Sequence, residues 1–184
     1  MLGDTNFSPN VSRRLIHHGA KFDFESLTVS RPGGGALTRE CVRHPGAVVI
    51  LPILDTPTGR QVVLIRNWRL SLERYLWELP AGTLEKGEDP GVCAGRELLE
   101  ETGYQAATLT PLSRFHTSPG MSDELMWAFV ATGLRAGEQA LEQDERITVH
   151  PTGVDRVFEM IANAEMTDAK SMLTLHLARA SGLL

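Results

Sequence analysis

Cysteine is scarce in this 184-residue chain, which carries only Cys41 and Cys93, far apart and without metal-ligand spacing. Neither a disulfide framework nor a zinc site is expected, and both read as reduced, mostly buried thiols of a reducing compartment. Long apolar runs are lacking as well. The longest, Ala47 to Leu54, contains Pro52 and falls far short of the roughly 20 residues that span a bilayer. No basic-then-apolar-then-small pattern opens the chain, so the expectation is a soluble, cytoplasmic protein without a membrane partner. Excess positive charge is also missing: 18 Lys+Arg against 23 Asp+Glu leave a formal charge of −5. With no basic run to offset that balance, a nucleic-acid partner is not expected. An acidic chain still binds phosphates where a divalent cation or a few placed arginines offset the repulsion.

What is present is ordinary globular composition, 42% hydrophobic and 22% charged, enough for a sizeable core without a staple. Lys21 to Ser30 and Ala36 to His44 read as an N-terminal hairpin around the turn Arg31 to Gly35. Ala47 to Leu54 and Gln61 to Trp68 read as central strands joined by turn chemistry at Asp55 to Arg60. A Pro/Gly-rich loop follows Leu79, then a helix with Asp89 as N-cap, Pro90 at its first position and Gly103 at its end. Thr108 to Thr117, Glu124 to Thr132 and a short Ile147 to His150 read as strands, and Leu134 to Arg146 as a polar loop. Val154 to Asn163 and Asp168 to Ala180 have helical spacing, with Thr167-Asp168 as a cap. Trp68 and Trp127 read as core. The irregular mixture predicts an α+β fold or an α/β/α sandwich with a mixed sheet.

On a wheel, Glu97, Glu100 and Glu101 fall within an arc of roughly 100°, with Val92, Leu98, Leu99 and Thr102 opposite. The expectation is one buried face and one acidic face. Like charges at i, i+3 and i+4 cost about 0.2–0.5 kcal/mol per pair, so something must compensate them. A hard divalent cation is the economical answer, since converging carboxylate oxygens suit Mg²⁺ or Mn²⁺. Arg96 is placed to hold these carboxylates. A turn around Gly82, Gly87 and Glu88 brings backbone carbonyls, such as that of Ala81, toward the same cation.

Gly82, then five residues, Glu88, then seven residues, then Arg96-Glu97-Leu98-Leu99-Glu100-Glu101-Thr102-Gly103-Tyr104 resembles the complete Nudix box. That box is the signature of hydrolases acting on nucleoside diphosphates linked to another moiety. Tyr104 replaces the usual aliphatic residue at the last position. The entry Trp77-Glu78-Leu79-Pro80-Ala81-Gly82, the Arg39-Glu40 pair, Ser118-Pro119-Gly120 and Thr167-Asp168-Ala169-Lys170 resemble the ADP-ribose pyrophosphatase subfamily. Together they cover residues 20–182.

The resemblance implies an α/β/α sandwich with a mixed sheet over residues 46–184. Residues 1–45 would be a small antiparallel strand region that serves as a dimerisation element of a homodimer. It implies a hydrolase of ADP-ribose, a small nucleotide sugar, using Mg²⁺ with Mn²⁺ as substitute. Glu97 and Glu101 match the principal metal ligands, Glu100 a third carboxylate, Ala81 a backbone-oxygen ligand and Arg96 their orienting partner. Arg39 and Arg69 match substrate-contacting arginines, with Glu78, Pro119, Gly120 and Glu124 as further contacts. Phe22 or Phe24 would stack on the adenine. Glu145 matches a further metal ligand, and Glu142 or Glu145 the general base. Two alternatives stand beside this reading: the same chemistry on GDP-mannose, ADP-glucose or UDP-glucose, and a Nudix-fold nucleotide-binding protein without turnover.

Overall fold

The strand Ala47–Thr56 is buried along most of its length, and its alternate residues enter different cores. Val48 and Ile50 join one cluster; Ala47, Val49, Leu51 and Ile53 join the other. A strand with two apolar faces needs cover on both, and that need sets the layers around it. The computed structural model describes residues 10–184 except 32, 142 and 144, and the chain divides into two compact units.

The smaller unit holds the chain up to Pro45 together with Ser118–Glu124. It is a three-stranded antiparallel sheet of β1 (Val11–His18), β2 (Asp23–Ser30) and β3 (Ala36–Arg43), in that order. β1 is an element that periodicity does not reveal. Every one of its residues is exposed, so no alternation of apolar and polar residues marks it, and His17 and His18 form its end. The segment Ser118–Glu124 is fastened to β3: the Val42 N–H donates to the Met121 carbonyl at 2.9 Å, and the His44 N–H to Asp123 Oδ1 at 2.9 Å.

The larger unit contains β4 (Ala47–Thr56), β5 (Gly59–Arg69), β6 (Arg74–Glu78), β7 (Ala81–Thr83), α1 (Pro90–Thr102), β8 (Tyr104–Gln105) and β9 (Thr108–His116). It continues with β10 (Leu125–Thr132), β11 (Arg135–Ala136), β12 (Ile147–Gly153), α2 (Val154–Ala162) and α3 (Ala169–Ala180). Its seven-stranded sheet runs β12-β5-β4-β10-β9, with β6 on β5 and β7 on β4. β10 lies parallel to β4 and its other ladders are antiparallel, so the sheet is mixed as expected. Leu98, Cys93 and Ala94 of α1 cover one face, and Val157, Met160, Leu175 and Ala178 of α2 and α3 cover the other.

Three details differ from the sequence reading. β12 runs on to Gly153 rather than stopping at His150, because an edge strand tolerates Pro151 in its ladder with β5. The expected polar loop contains β11, which pairs with β8. Trp68 is not core: it is 38% exposed and packs edge-on against its cross-strand partner Tyr75, ring centroids 5.1 Å apart. Cys41 and Cys93 are free and buried.

Helix α1 begins and ends where its residues dictate. Asp89 Oδ1 accepts from the N–H groups of Gly91 and Val92, and Pro90 fills the first position without losing a bond. Gly103 terminates the helix at φ 73°, its N–H returning to the Leu99 carbonyl at 2.8 Å. Leu98 has no solvent exposure. Leu98→Ala is therefore expected to lower unfolding free energy by about 2–5 kcal/mol in urea titration; a loss below about 1 kcal/mol would mean that α1 does not seal this core.

Candidate active site

The expected opposition of acidic and buried faces on α1 does not hold. Glu97 and Glu101 are only 9% and 3% exposed, and Val92, assigned to the buried side, is 64% exposed. The buried arc runs through Cys93, Glu97, Glu101, Ala94, Leu98 and Thr102, so two carboxylates lie within it. Strand β7 explains why. A Cβ on Gly82 would lie 1.8 Å from the Glu97 carboxyl carbon, so any side chain here would displace that carboxylate from its present place. One residue earlier, the Ala81 N–H donates to Glu101 Oε2 at 2.8 Å. Gly82 thus sits in a strand, where the sequence reading placed a turn.

Arg96 gathers the other carboxylates as expected. Its Nε and Nη2 donate to the two oxygens of Glu88, each at 3.0 Å, and its Nη1 donates to Glu97 at 2.7 Å and Glu100 at 2.9 Å. A planar guanidinium serves three carboxylates at once through this fork geometry. Those bonds hold the Glu88 carboxyl down at about 2, although burial and the remaining neighbours pull in both directions. Arg96 in turn is held more firmly protonated, first by Glu88 and then by Glu97 and Glu100.

Glu101 goes the other way. Burial pushes it up to about 8; the Ala81 N–H opposes this, while the charges of Glu97 and Glu145 reinforce it. Glu97 is raised by burial too, against the pull of Arg96. Glu145 therefore acts electrostatically on both glutamates. Among the described residues no three His, Cys, Asp or Glu side chains already form a closed ligand set. Arg96 Nη1 is instead shared between Glu97 and Glu100. The donors suit a hard divalent cation all the same: buried carboxylates that repel one another, with a backbone strand beside them, lack the positive charge that would let all ionise.

Arg69 and Glu78, both expected to touch substrate, are bonded to each other. Arg69 Nε and Nη2 reach the two Glu78 oxygens at 2.7 and 2.5 Å, and Lys170 Nζ reaches the second at 2.6 Å. Glu78 has no solvent exposure, whereas the Arg69 side chain is 39% exposed. Burial alone would raise the Glu78 carboxyl, but Arg69 and Lys170 outweigh it and hold it below the usual range. Lys170 also pairs with Asp168 at 2.9 Å, which caps α3 through the Ser171 N–H. Ser171 Oγ accepts from the Leu79 N–H at 2.7 Å, so the end of β6 is fastened to α3. Sequence reasoning had used Lys170 only as part of a resemblance; its proximity to Glu78 comes from tertiary packing.

The remaining candidates among the described residues fall in the smaller unit. Arg39 is exposed on β3, its Nη1 donating to the Thr38 carbonyl at 2.8 Å. Pro119 and Gly120 lie in the exposed turn closed by the Met121 N–H on the Ser118 carbonyl at 3.0 Å. Phe22 and Phe24 are 38% and 37% exposed. Phe22 stacks on His44 and Glu124 lies 3.3 Å from the same ring, which brings two of the candidates together on a residue that the sequence reading missed. The dipeptide His44-Pro45 at the end of β3 carries no periodic signal that would have singled it out. Glu142 lies outside the described residues.

In cation-free protein Glu101 keeps its proton near neutrality, because its folded pKa of about 8 exceeds the ordinary 4.5. Between those values the native state binds more protons than the unfolded chain, so this group's contribution to stability is full at low pH and declines as pH rises through the folded pKa. Melting temperatures recorded in chelator are expected to carry that decline and Glu101→Gln to flatten it; equal slopes would exclude a buried, proton-holding Glu101.

Residues 43–150 match the NUDIX domain family. An ADP-ribose pyrophosphatase of Bacillus subtilis (strain 168) is 38% identical over 163 residues, which cover 88% of this chain and 86% of the relative. A methanol dehydrogenase activator of Bacillus methanolicus is 40% identical over 167 residues, covering 90% and 89%. A crystal structure described as an ADP compounds hydrolase shares the fold, with a TM-score of 0.82 over 97% of this chain and 98% of the other at 23% identity. The matched segment takes in the glycine-gated glutamates of α1 and the arginine that holds them, and the chain belongs to the NUDIX domain family.

Proposed function

We propose that this protein is a diphosphatase that hydrolyses ADP-ribose to AMP and ribose 5-phosphate with Mg²⁺, or Mn²⁺ as substitute. The observation that carries the reading is the buried pair Glu97 and Glu101, both raised by burial and by neighbouring carboxylates and held by Arg96 and the Ala81 N–H. Such a pair has little structural use without a cation, since a well-packed apolar pair would stabilise the helix more. The ADP-ribose pyrophosphatase name of the Bacillus subtilis relative supports the substrate.

Glu97 and Glu101, with the Ala81 carbonyl and Glu145, would hold the cation, and Glu100 completes the acidic group. When bound, a divalent cation neutralises diphosphate charge and acidifies water. Arg96 keeps Glu97 and Glu100 in fixed orientation. Arg69, anchored by Glu78, offers its exposed edge to a phosphate oxygen, so Glu78 orients the contact rather than making it. Glu142 or Glu145 takes the proton from the attacking water as its oxygen bonds in line to one phosphorus and the bridging P–O bond breaks, the other phosphate leaving with its share of the substrate. Arg39, Pro119 and Gly120 contribute substrate contacts, Glu124 the terminal ribose contact and Phe22 the stack on adenine.

The reading includes a cytoplasmic homodimer with residues 1–45 as its dimerisation element. Edge strand β1 supports this, since Val11, Leu15 and Ile16 are 45%, 52% and 44% exposed and a second copy would cover them.

Phosphate release through a coupled phosphatase, across ADP-ribose, GDP-mannose, ADP-glucose, UDP-glucose and a nucleoside triphosphate, tests the substrate. ADP-ribose is expected to lead by about ten-fold or more, roughly 1.4 kcal/mol of transition-state discrimination, and Glu101→Gln to abolish turnover with the fold intact. A lead by another nucleotide sugar would keep the chemistry and replace the substrate; binding without turnover would point to a nucleotide sensor. Chelation is expected to stop the reaction and Mg²⁺ or Mn²⁺ to restore it.

Of the two loop carboxylates, the one acting as base is expected to lower kcat by about 10²–10⁴-fold on change to Gln and to remove the acid limb of the pH–rate profile. If neither Glu142→Gln nor Glu145→Gln does so, the proton goes elsewhere.

A further inference from the structure

We propose that His44 is a positioning residue that ties Phe22 and Glu124 into one recognition element, so that the hold on the base and the hold on the terminal ribose of the substrate are coupled. The inference rests on the ADP-ribose reading above and goes beyond it, because it assigns a role to a side chain outside the Nudix box and predicts an energetic link between the two ends of the ligand.

Three observations carry it. The Phe22 and His44 rings stack with centroids 4.6 Å apart and planes 22° from parallel. His44 Nε2 lies 3.3 Å from Glu124 Oε1. The imidazole itself is only 8% exposed, whereas Phe22 keeps 38% of its surface and the Glu124 side chain 22%. A buried ring thus stands behind two more accessible groups of complementary chemistry: an aromatic surface able to stack on a purine, and a carboxylate able to accept from ribose hydroxyls. Phe24, the other aromatic of this strand region, has no aromatic partner among the described residues. His44 therefore distinguishes the two phenylalanines.

The backbone around the ring is constrained at each corner. Phe22 sits at the β1–β2 turn, where its carbonyl accepts from the Gly19 N–H at 3.0 Å, and a Cβ on Gly19 would come within 2.4 Å of that oxygen. The His44 N–H donates to Asp123 Oδ1 at 2.9 Å, and the other Asp123 oxygen pairs with Arg43. The Glu124 N–H donates to Ser122 Oγ at 3.1 Å. With three segments fixed, the imidazole has little freedom to turn without disturbing the ring on one side or the carboxylate on the other. Burial lowers its pKa against the opposing charges of Glu124 and Asp123. A neutral imidazole still donates one hydrogen bond and stacks, so both contacts persist without a charge on the ring.

Linkage makes such coupling reciprocal between ligands: a group bound at the base end changes the affinity for a group at the ribose end by the same factor as the converse. The test uses the two products as competitive inhibitors of ADP-ribose hydrolysis by the intact protein, AMP reporting the base end and ribose 5-phosphate the ribose end. His44→Phe keeps a stacking ring and loses the contact to Glu124, so ribose 5-phosphate inhibition is expected to weaken about five-fold or more while AMP inhibition holds within about two-fold. His44→Gln keeps a donor and loses the ring, so the opposite pattern is expected. In both, KM for ADP-ribose rises while kcat stays within about two-fold, which separates positioning from loss of the catalytic centre.

Should either variant fail to fold by thermal unfolding, Glu124→Gln and Phe22→Ala test the same link without touching His44. The first is expected to weaken AMP inhibition, the second ribose 5-phosphate inhibition, each about three-fold or more. If Glu124→Gln weakens only ribose 5-phosphate inhibition and Phe22→Ala only AMP inhibition, or if both inhibitors weaken equally in every variant, the coupling is overturned and ADP-ribose hydrolysis is left standing. Absence of ADP-ribose turnover in the unaltered protein would instead overturn the substrate reading, and the coupling with it.

Discussion

The approach of strand β7 to helix α1 is the constraint on which the centre depends. A backbone without a side chain at Gly82 lies against the Glu97 carboxyl, and the preceding Ala81 N–H bonds Glu101. Any larger residue at 82 would have to push the Glu97 carboxylate out of the place where Arg96 holds it, between a strand paired with β4 from Ala81 to Thr83 and the helix that Leu98 seals to its core. One glycine therefore reconciles two requirements: α1 must bury an apolar stripe against the sheet, and it must present carboxylates from the same stripe. Glu97 and Glu101 are buried because Cys93, Ala94 and Leu98 are buried, being their neighbours on the wheel.

Two buried glutamates of this protein show how partners, not burial, decide ionisation. Glu78 is wholly enclosed, yet the charges of Arg69 and Lys170 hold it ionised. Glu101 is nearly as enclosed, but its direct partner is an uncharged amide and its charged neighbours include Glu97 and Glu145, so it retains a proton to about pH 8. Burial penalises both; Glu78 is bonded directly by two cations that outweigh it, whereas Lys170 draws on Glu101 without offsetting it. A site that supplies its own cation is a structural anchor, and a site that lacks one is ready for a cation from outside. Glu78 accordingly anchors Arg69 and Lys170, while Glu101 keeps the character on which the proposed cation site rests.

Much of this was legible in the sequence, and the parts that were not share a cause. The strands β4 and β5, the Asp89 cap, the Gly103 terminus and the Arg96 cluster all rest on local signals: periodicity, turn residues and i, i+4 spacing. The box glutamates were found for the same reason. The wheel misplaced the buried arc because it weighed hydrophobicity, and a carboxylate set against a backbone strand has no hydrophobic mark. β1 escaped because all eight of its residues are exposed, so the alternation that signals a strand is absent. The Glu78–Lys170 and His44–Glu124 contacts join residues far apart in the chain, and no single-sequence pattern encodes such a distance.

The acidic composition takes on meaning in this light. A net charge of −5 disfavours a polyphosphate ligand at long range, and two cations close to the buried glutamates are already committed. Arg96 is committed to Glu88, Glu97 and Glu100, and Lys170 to Glu78 and Asp168, leaving neither as a general phosphate receptor. Arg69 is different: its Nε and Nη2 are tied to Glu78 while more than a third of the side chain stays exposed. On the proposed reading, attraction for a diphosphate would rest on Arg69 and on a divalent cation joining the glutamates. On that reading such a protein would gain selectivity from its own repulsion: an anion that could not arrive together with a cation, or could not meet Arg69 in the orientation Glu78 imposes, would have little to offset the net negative charge.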